Sequence, residues 1–243
     1  GTALWVVEDC FRGVVEECIK SSPGVFNGTG IEIVYWSYLH QEVLASLKDC
    51  QHPPRPDRLT FRPNVKETDP LMYIFSSGTT GLPKACKISQ SRFIAGGFPV
   101  SHMTYLRPGV RLYAQGLPLY HSAAGMLGVS SVLHTGATMV LRKKFSARGF
   151  VKDWVKYDVK VVQYIGELCR YLLSTPRCEE EKYLRLDYAI GNGLARDVWE
   201  AFRDRFHVAD ITEFYGATEG NVALFNTTGQ VGSLGYIPRC LDF

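Results

Sequence analysis

No CxxC pair occurs in the chain. Its seven cysteines, Cys10, Cys18, Cys50, Cys86, Cys169, Cys178 and Cys240, are odd in number and irregularly spaced. That argues against a zinc ribbon or a disulfide scaffold and fits a reducing, cytosol-facing environment. Excess charge is also lacking. With 27 Lys and Arg against 24 Asp and Glu the net charge is +3, too small and too evenly spread for a nucleic-acid partner, though compatible with mild attraction to anionic substrates or lipid headgroups. There is no internal repeat, no low-complexity tract and no signal peptide. The chain starts at Gly1 rather than Met and stops at Phe243 just after a Gly-rich turn; it is read as an internal piece of a longer protein.

Residues 112–141 contain no Asp, Glu, Lys or Arg. A membrane-spanning helix needs about 20 mostly apolar residues in a row. Here Gln115, Pro118, His121, Ser122 and His134 interrupt, as do Gly116, Gly125, Gly128 and Gly136. The stretch reads instead as buried strand, loop, helix, strand.

What is present is an ordinary globular balance, 46% hydrophobic and 21% charged over 243 residues, enough for a sizeable core. Residues 3–20 carry an apolar face opposite Glu8, Arg12, Glu16 and Glu17 and predict an amphipathic helix. Residues 31–36 predict a strand and 41–48 a short helix. Residues 49–69 are rich in proline and charge and predict a surface connection. Two parts follow: 1–70, a partial α/β segment with this connection, and 71–243, a core. In the core, residues 71–75 predict a buried strand, 76–84 a loop, 85–89 a strand and 90–99 a helix ending at Pro99. Strands are then predicted at 112–117, 137–141, 159–165, 186–190 and 210–215, and helices at 123–134, 147–157, 167–174 and 196–206, with Ser146 capping the second of these helices. Strands dense in Val, Ile, Leu and Tyr that alternate with helices predict an α/β fold, a doubly wound and mostly parallel sheet. Ligands bind such sheets at loops beyond the strand carboxyl ends, here the loops after Phe75, Leu117, Ile190 and Tyr215.

One of these loops carries the strongest chemical signal: Ser76-Ser77-Gly78-Thr79-Thr80-Gly81-Leu82-Pro83-Lys84. Gly78 and Gly81 let backbone amides approach an anion, four hydroxyls add donors, and Lys84 adds charge, a set suited to polyphosphate. It is not a Walker A loop, because Pro83 precedes Lys84 and Ala85 follows it. A second cluster, Tyr215-Gly216-Ala217-Thr218-Glu219-Gly220-Asn221, follows another strand. Its ring can stack on adenine, its hydroxyl can bond a phosphate, and its carboxylate can hold Mg²⁺ against phosphate oxygens. Gly191-Asn192-Gly193 presents backbone that can meet an adenine edge, with a plain strand-to-helix turn as the alternative. His121, in Pro118-Leu119-Tyr120-His121-Ser122, is a candidate for positioning or charge stabilisation, with a structural role as the alternative.

The run from Tyr73, Ile74 and Phe75 through Lys84 resembles the phosphate loop of the acyl-adenylate-forming, AMP-binding enzymes, and residues 215–221 resemble that family's second core motif. The segments 142–147, 162–173 and 213–221 resemble its fatty-acid transport protein branch, the very-long-chain acyl-CoA synthetases, with the likeness running from about residue 71 to 239. The resemblance implies that the chain is part of the large N-terminal domain of an acyl-CoA synthetase. It implies ATP/AMP and CoA as ligands, with Tyr73, Ile74, Phe75, the loop 76–84, Gly191, Asn192, Gly193, Tyr215, Gly216, Ala217 and Thr218 around the nucleotide. Tyr215 is implied at adenine, Thr218 at phosphate, Glu219 at Mg²⁺, and Lys84, Thr218, Glu219 and His121 in catalysis. A long or very long acyl substrate is implied, along with a cytosol-facing membrane location at the endoplasmic reticulum, peroxisome or plasma membrane. Residues 163–173 could line the acyl pocket, and Arg142-Lys143-Lys144 could meet headgroups, although packing and a solvated turn are the simpler readings. Full members continue with a ribose-binding Asp, a hinge and a small C-terminal domain bearing a catalytic Lys, so this piece alone is expected to bind nucleotide weakly and to be inactive. Two other readings stand beside this one: an adenylation domain for a different carboxylic acid, and a lipid uptake or binding protein without catalysis.

Overall fold

The computed structural model describes residues 3–7, 9, 12–21, 23, 31–35, 41, 64–76, 82–114, 116–142 and 144–235. Outside it lie the predicted helix at 41–48 apart from Gln41, most of the Pro-rich connection, residues 77–81 of the phosphate loop, Lys143, and Cys10, Cys50 and Cys240. The chain divides into two compact units, residues 1–64 and 65–243.

In the first unit β1 (Ala3–Val7) pairs in parallel with β2 (Ile31–Tyr35), Trp5 opposite Ile33, and α1 (Arg12–Ser21) joins them. The predicted helix over 3–20 is therefore corrected: its first third is a strand. Trp5, Val6 and Val7 are aromatic and β-branched types that fit a pleated surface, and a partner strand is available, so the helical stripe holds only from Arg12 onward.

In the second unit, β3 (Pro70–Ser76) and β4 (Lys84–Ser89) form an antiparallel ribbon of their own. Then come α2 (Gln90–Met103), β5 (Arg111–Tyr113), a π-helical segment Ser122–Val129, α3 (Ser130–Thr135) and β6 (Thr138–Val140). After these follow α4 (Phe150–Lys156), β7 (Val161–Ile165), α5 (Gly166–Ser174), β8 (Leu186–Asn192), α6 (Arg196–Arg205), β9 (Val208–Tyr215) and β10 (Leu224–Phe225). The main sheet has the order β10-β9-β8-β7-β5-β6, parallel except for β10 at its edge. Its two faces are read off alternate residues. Leu112, Val161 and Ile190 pack with Val100 of α2 and Val132 of α3. Tyr113, Val162, Ala189 and Ile211 face the other way, into the large cluster built with Trp154, Leu172, Trp199 and Phe202 of α4, α5 and α6. Helices thus cover both faces, as the α/β doubly wound reading expected, and the chain reverses direction across the sheet at β5.

Several predicted elements change. The 71–75 strand is not a buried strand of the sheet. Ile74 is buried, but Tyr73 and Phe75 on the opposite face of the ribbon are 58% and 68% exposed. The helix begun at Gln90 does not stop at Pro99 but continues to Met103, because burial of Val100 against the sheet outweighs the amide that proline lacks. Ser89 caps it, its Oγ accepting from the Arg92 N–H at 3.2 Å. The 112–117 strand is cut to three residues, and Gly116 turns the chain at φ 89°. The 123–134 helix is π-wound through Val129, in a segment that begins one residue earlier at Ser122. At 147–157 a 3-10 turn precedes α4, and the Ser146 hydroxyl makes no cap bond; its carbonyl accepts from the Gly149 N–H instead.

Candidate functional site

A cleft of about 820 Å³ opens at the carboxyl edge of the sheet. Its walls come from three sources: Arg92, Ala95 and Gly96 on α2, His121 to Ala123 at the start of the π-helical segment, and the loops after β8 and β9. Of the residues singled out in the sequence, His121, Asn192, Gly216, Ala217 and Thr218 line it.

Thr218 is where the walls meet. Its hydroxyl lies 2.8 Å from Ser122 Oγ, sharing a hydrogen. Its carbonyl accepts from the Cys86 thiol of β4 at 3.3 Å and from Arg92 Nη2 of α2 at 2.7 Å. The same guanidinium donates to the carbonyl of Gly220 and, through Nη1, to Asn221 Oδ1 at 3.3 Å. Glu219, between these anchored residues, is exposed. Tyr215 ends β9 and is 59% exposed.

The ribbon presents the phosphate loop at its open end. Ser76 and Lys84 are register partners closing that loop. Strand alternation puts Lys84, Cys86 and Ile88 on one face, so Lys84 shares a face with the thiol that touches Thr218. Lys84, Leu82 and Pro83 are exposed. Tyr73 and Phe75 lie on the other face, and Ile74 on the buried one. Residues 77–81 lie outside the described set.

The loop after β8 is held from below. Glu213 of β9 is buried, at 1% exposure. It accepts the Tyr164 O–H at 2.6 Å and the Leu194 N–H at 2.9 Å. Burial pushes its carboxyl above the ordinary value, although bonds from Tyr164 and the Leu194 and Gly193 amides pull it down. Burial, reinforced by the Glu213 charge, pushes the Tyr164 hydroxyl well up, so it remains a donor. The two glycines here, Gly191 within β8 and Gly193 in the loop after it, differ in purpose. A Cβ on Gly191 would sit 2.3 Å from the Tyr164 carbonyl, so this glycine serves close packing; Gly193 adopts φ 80°. A Cβ on Gly166, the first residue of α5, would fall 1.7 Å from the Gly193 carbonyl oxygen.

His121 is exposed, and its Nδ1 accepts from the Ala123 N–H at 3.3 Å. It caps the π-helical segment while its ring borders the cleft. Of residues 163–173, Gln163 reaches that segment, donating Nε2 to the Ala123 carbonyl at 2.6 Å. Tyr164, Leu168, Cys169 and Leu172 pack in the core and Leu173 against it, whereas Ile165, Glu167, Arg170 and Tyr171 are exposed. Sequence reasoning missed Arg92, Cys86, Glu213 and the Ser122 hydroxyl as site members. Glu213, set between Thr212 and Phe214 in the run that β9 buries, was the one available signal; Arg92 carried none. Among the described residues, no helix is long and apolar enough to cross a membrane, and no group of three metal-ligating side chains occurs.

Comparison with known proteins supplies the context. The AMP-binding enzyme family model matches residues 21–242. The chain is 47% identical over 202 residues to a Bos taurus protein named long-chain fatty acid transport protein 1, covering 76% of this chain and 31% of that one. It is 48% identical over 171 residues to Mus musculus long-chain fatty acid transport protein 6, covering 68% and 26%. It therefore spans between about a quarter and a third of the length of these curated relatives. Among solved structures, ATP-bound MatB from Rhodopseudomonas palustris matches with a TM-score of 0.69 at 18% identity, over 96% of this chain and 44% of that one. A benzoate CoA ligase from Burkholderia xenovorans LB400 matches at 0.71 and 14%, over 96% and 45%. At such identities these two likenesses concern the fold alone. With its family match spanning nearly the whole sequence, the chain belongs to the AMP-binding enzyme family.

Proposed function

We propose that the protein carrying this chain activates a long-chain or very-long-chain fatty acid with ATP, giving acyl-AMP and pyrophosphate, and then passes the acyl group to CoA. The observation that carries the reading is the convergence on Thr218. One residue at the mouth of a cleft of about 820 Å³ is bonded by β4, by α2 and by the start of the π-helical segment. The volume suits a nucleotide-sized ligand. The relatives' names, which speak of long-chain fatty acids, favour that class of acid over others.

The chemistry brings two anions together, so the protein's task is charge neutralisation and alignment rather than proton transfer. We assign the Thr218 hydroxyl, oriented by Ser122, to a phosphate oxygen, and Lys84 with the amides and hydroxyls of the 76–84 loop to the departing phosphates. The Tyr215 ring is assigned to the adenine face, and the backbone of residues 191–193 to its edge. His121, whose ring borders the cleft, is assigned to the arriving carboxylate. Glu219 is an exposed carboxylate beside the cleft, which fits Mg²⁺ bound by one protein carboxylate and substrate phosphates; such an ion would offset phosphate charge as the acid approaches. CoA then attacks the acyl carbonyl and AMP leaves with the carboxylate oxygen.

A long acyl chain partitions into bilayers by about 0.8 kcal/mol per buried methylene, so we place the protein at a membrane surface facing the cytosol, which fractionation of cells tests. Pyrophosphate release by the whole protein, followed over acids of increasing chain length, tests the function. Release should rise with chain length into the long-chain range. Release driven by amino acids or aryl acids and not by fatty acids would overturn the lipid assignment.

A further inference from the structure

The β9–β10 loop holds little of itself in place. Gly216, Ala217, Glu219, Asn221, Val222 and Ala223 are exposed, and its internal backbone bond runs from the Gly220 N–H to the Ala217 carbonyl. Yet the loop must hold Thr218 and Glu219 in fixed places if they are to meet phosphate and metal. The fixing comes from outside, and its largest part is one side chain.

Arg92 sits in the first turn of α2. Its own amide is fixed by the Ser89 cap, and α2 is set against α3 so closely that a Cβ on Gly97 would meet Ser130 Oγ at 2.4 Å. From this rigid base the guanidinium reaches three acceptors on the loop: the carbonyls of Thr218 and Gly220 and the side chain of Asn221. These acceptors bracket Glu219. A planar guanidinium presents five donors in a fixed fork, so it clamps the loop across four residues. A lysine ammonium cannot reproduce that span. The clamp also meets the ribbon, because the Thr218 carbonyl takes a second donor from Cys86, two residues from Lys84 on the same face.

We infer that Arg92 is a positioning residue: it holds the Thr218–Asn221 loop so that the Thr218 hydroxyl and the Glu219 carboxylate meet the nucleotide phosphates and their metal. The inference rests on the adenylate-forming reading of the cleft and adds a residue to it. Arg92 acts through the loop, so its loss is felt in nucleotide and Mg²⁺ dependence rather than in handling of the acid.

The test uses the whole protein with Arg92→Gln, Arg92→Lys and Asn221→Ala, reading AMP affinity by calorimetry and the KM values for ATP, Mg²⁺ and acid in pyrophosphate release. Bonds to a charged donor are lost in Arg92→Gln, so AMP affinity should weaken and ATP KM rise by roughly tenfold to a hundredfold, with acid KM within about twofold as for an untouched site. Arg92→Lys should recover part of the loss, and Asn221→Ala should show a smaller loss of the same kind. If Arg92→Gln does not fold, these two variants carry the test alone. Unchanged AMP affinity and ATP KM in the variants, or a loss confined to acid KM, overturns the inference. A parent protein that binds no AMP would instead overturn the reading of the cleft, so the two failures are told apart.

Discussion

Replacing Gly166 by alanine puts a methyl group inside neighbouring backbone. The added Cβ would lie 1.7 Å from the Gly193 carbonyl oxygen, 2.2 Å from its carbon and 2.7 Å from the Leu194 nitrogen. None of these is the end of a flexible side chain, so the loop after β8 must move off α5. Overpacking of this kind costs about 1–3 kcal/mol. Moving the loop also stretches the Leu194 N–H bond to buried Glu213, now 2.9 Å, and a bond to a charged acceptor is worth about 1.5–3 kcal/mol. Together the cost is roughly 3–5 kcal/mol, a large part of a typical folding stability. Buried Trp154 and Trp199 report unfolding by fluorescence, and the urea midpoint should fall by roughly 1–2 M. AMP affinity should weaken as well, because Asn192, next to the displaced Gly193, lines the cleft. Gly13→Ala, where a Cβ meets nothing within 4 Å, is the contrast and should not destabilise. A Gly166→Ala protein within about 0.5 kcal/mol of its parent, with unchanged AMP affinity, would refute the tight seating of this loop.

Other outcomes follow from the same geometry. Glu213→Gln keeps an acceptor for Leu194 and a partner for Tyr164. Because burial raises the folded-state pKa of Glu213 above its ordinary value of 4.5, its contribution is fullest when protonated and is lost as pH rises through the raised pKa. Stability of the parent relative to this variant should therefore fall between acidic and neutral pH in urea titrations; a flat difference contradicts the buried carboxylate. Arg205 pairs with Glu181 at 2.8 Å with both side chains 8% exposed. Burial pushes the Glu181 carboxyl up, but the Arg205 bond and charge outweigh it and the net shift is downward. Arg205→Met should cost about 3–5 kcal/mol near neutral pH. It should also remove the part of the parent's stability that is present above the ordinary carboxylate range and lost on acidification. Cys169 is fully buried and its thiol is pushed up chiefly by burial, so mass spectrometry should find it unlabelled by a thiol reagent until urea is added, whereas exposed Cys18 labels at once.

Which features could be read in advance follows from particular residues. The parallel sheet was legible because β7, β8 and β9 each hold a short run buried on both faces, Val161–Tyr164, Ala189–Gly191 and Ile211–Phe214, within segments that alternate with helices. The ribbon was misread because Tyr73, Ile74 and Phe75 are all apolar, so the alternation that sends Ile74 inward and the rings outward leaves no mark in the pattern. The strand at Ala3–Val7 ran straight into a true helical stripe, and a single periodicity absorbed both. The π-winding of Ser122–Val129 depends on close approaches such as that of Gly125, whose Cβ would stand 2.1 Å from the Leu119 carbonyl, and apolar content does not report those. In the cleft, Thr218 and His121 were found by motif, since their chemistry is local. Arg92 lies 126 residues from Thr218 in sequence, and only the fold joins them.

The central claim is that a fatty carboxylate attacks the α-phosphate of ATP. It is tested most directly by isotope transfer. The whole protein is given ATP, Mg²⁺, CoA and a long-chain fatty acid whose carboxylate carries heavy oxygen, and the products are weighed by mass spectrometry. One heavy oxygen should appear in AMP, with none in pyrophosphate. Label in inorganic phosphate with ADP as the other product, or AMP formed without label, would contradict the account.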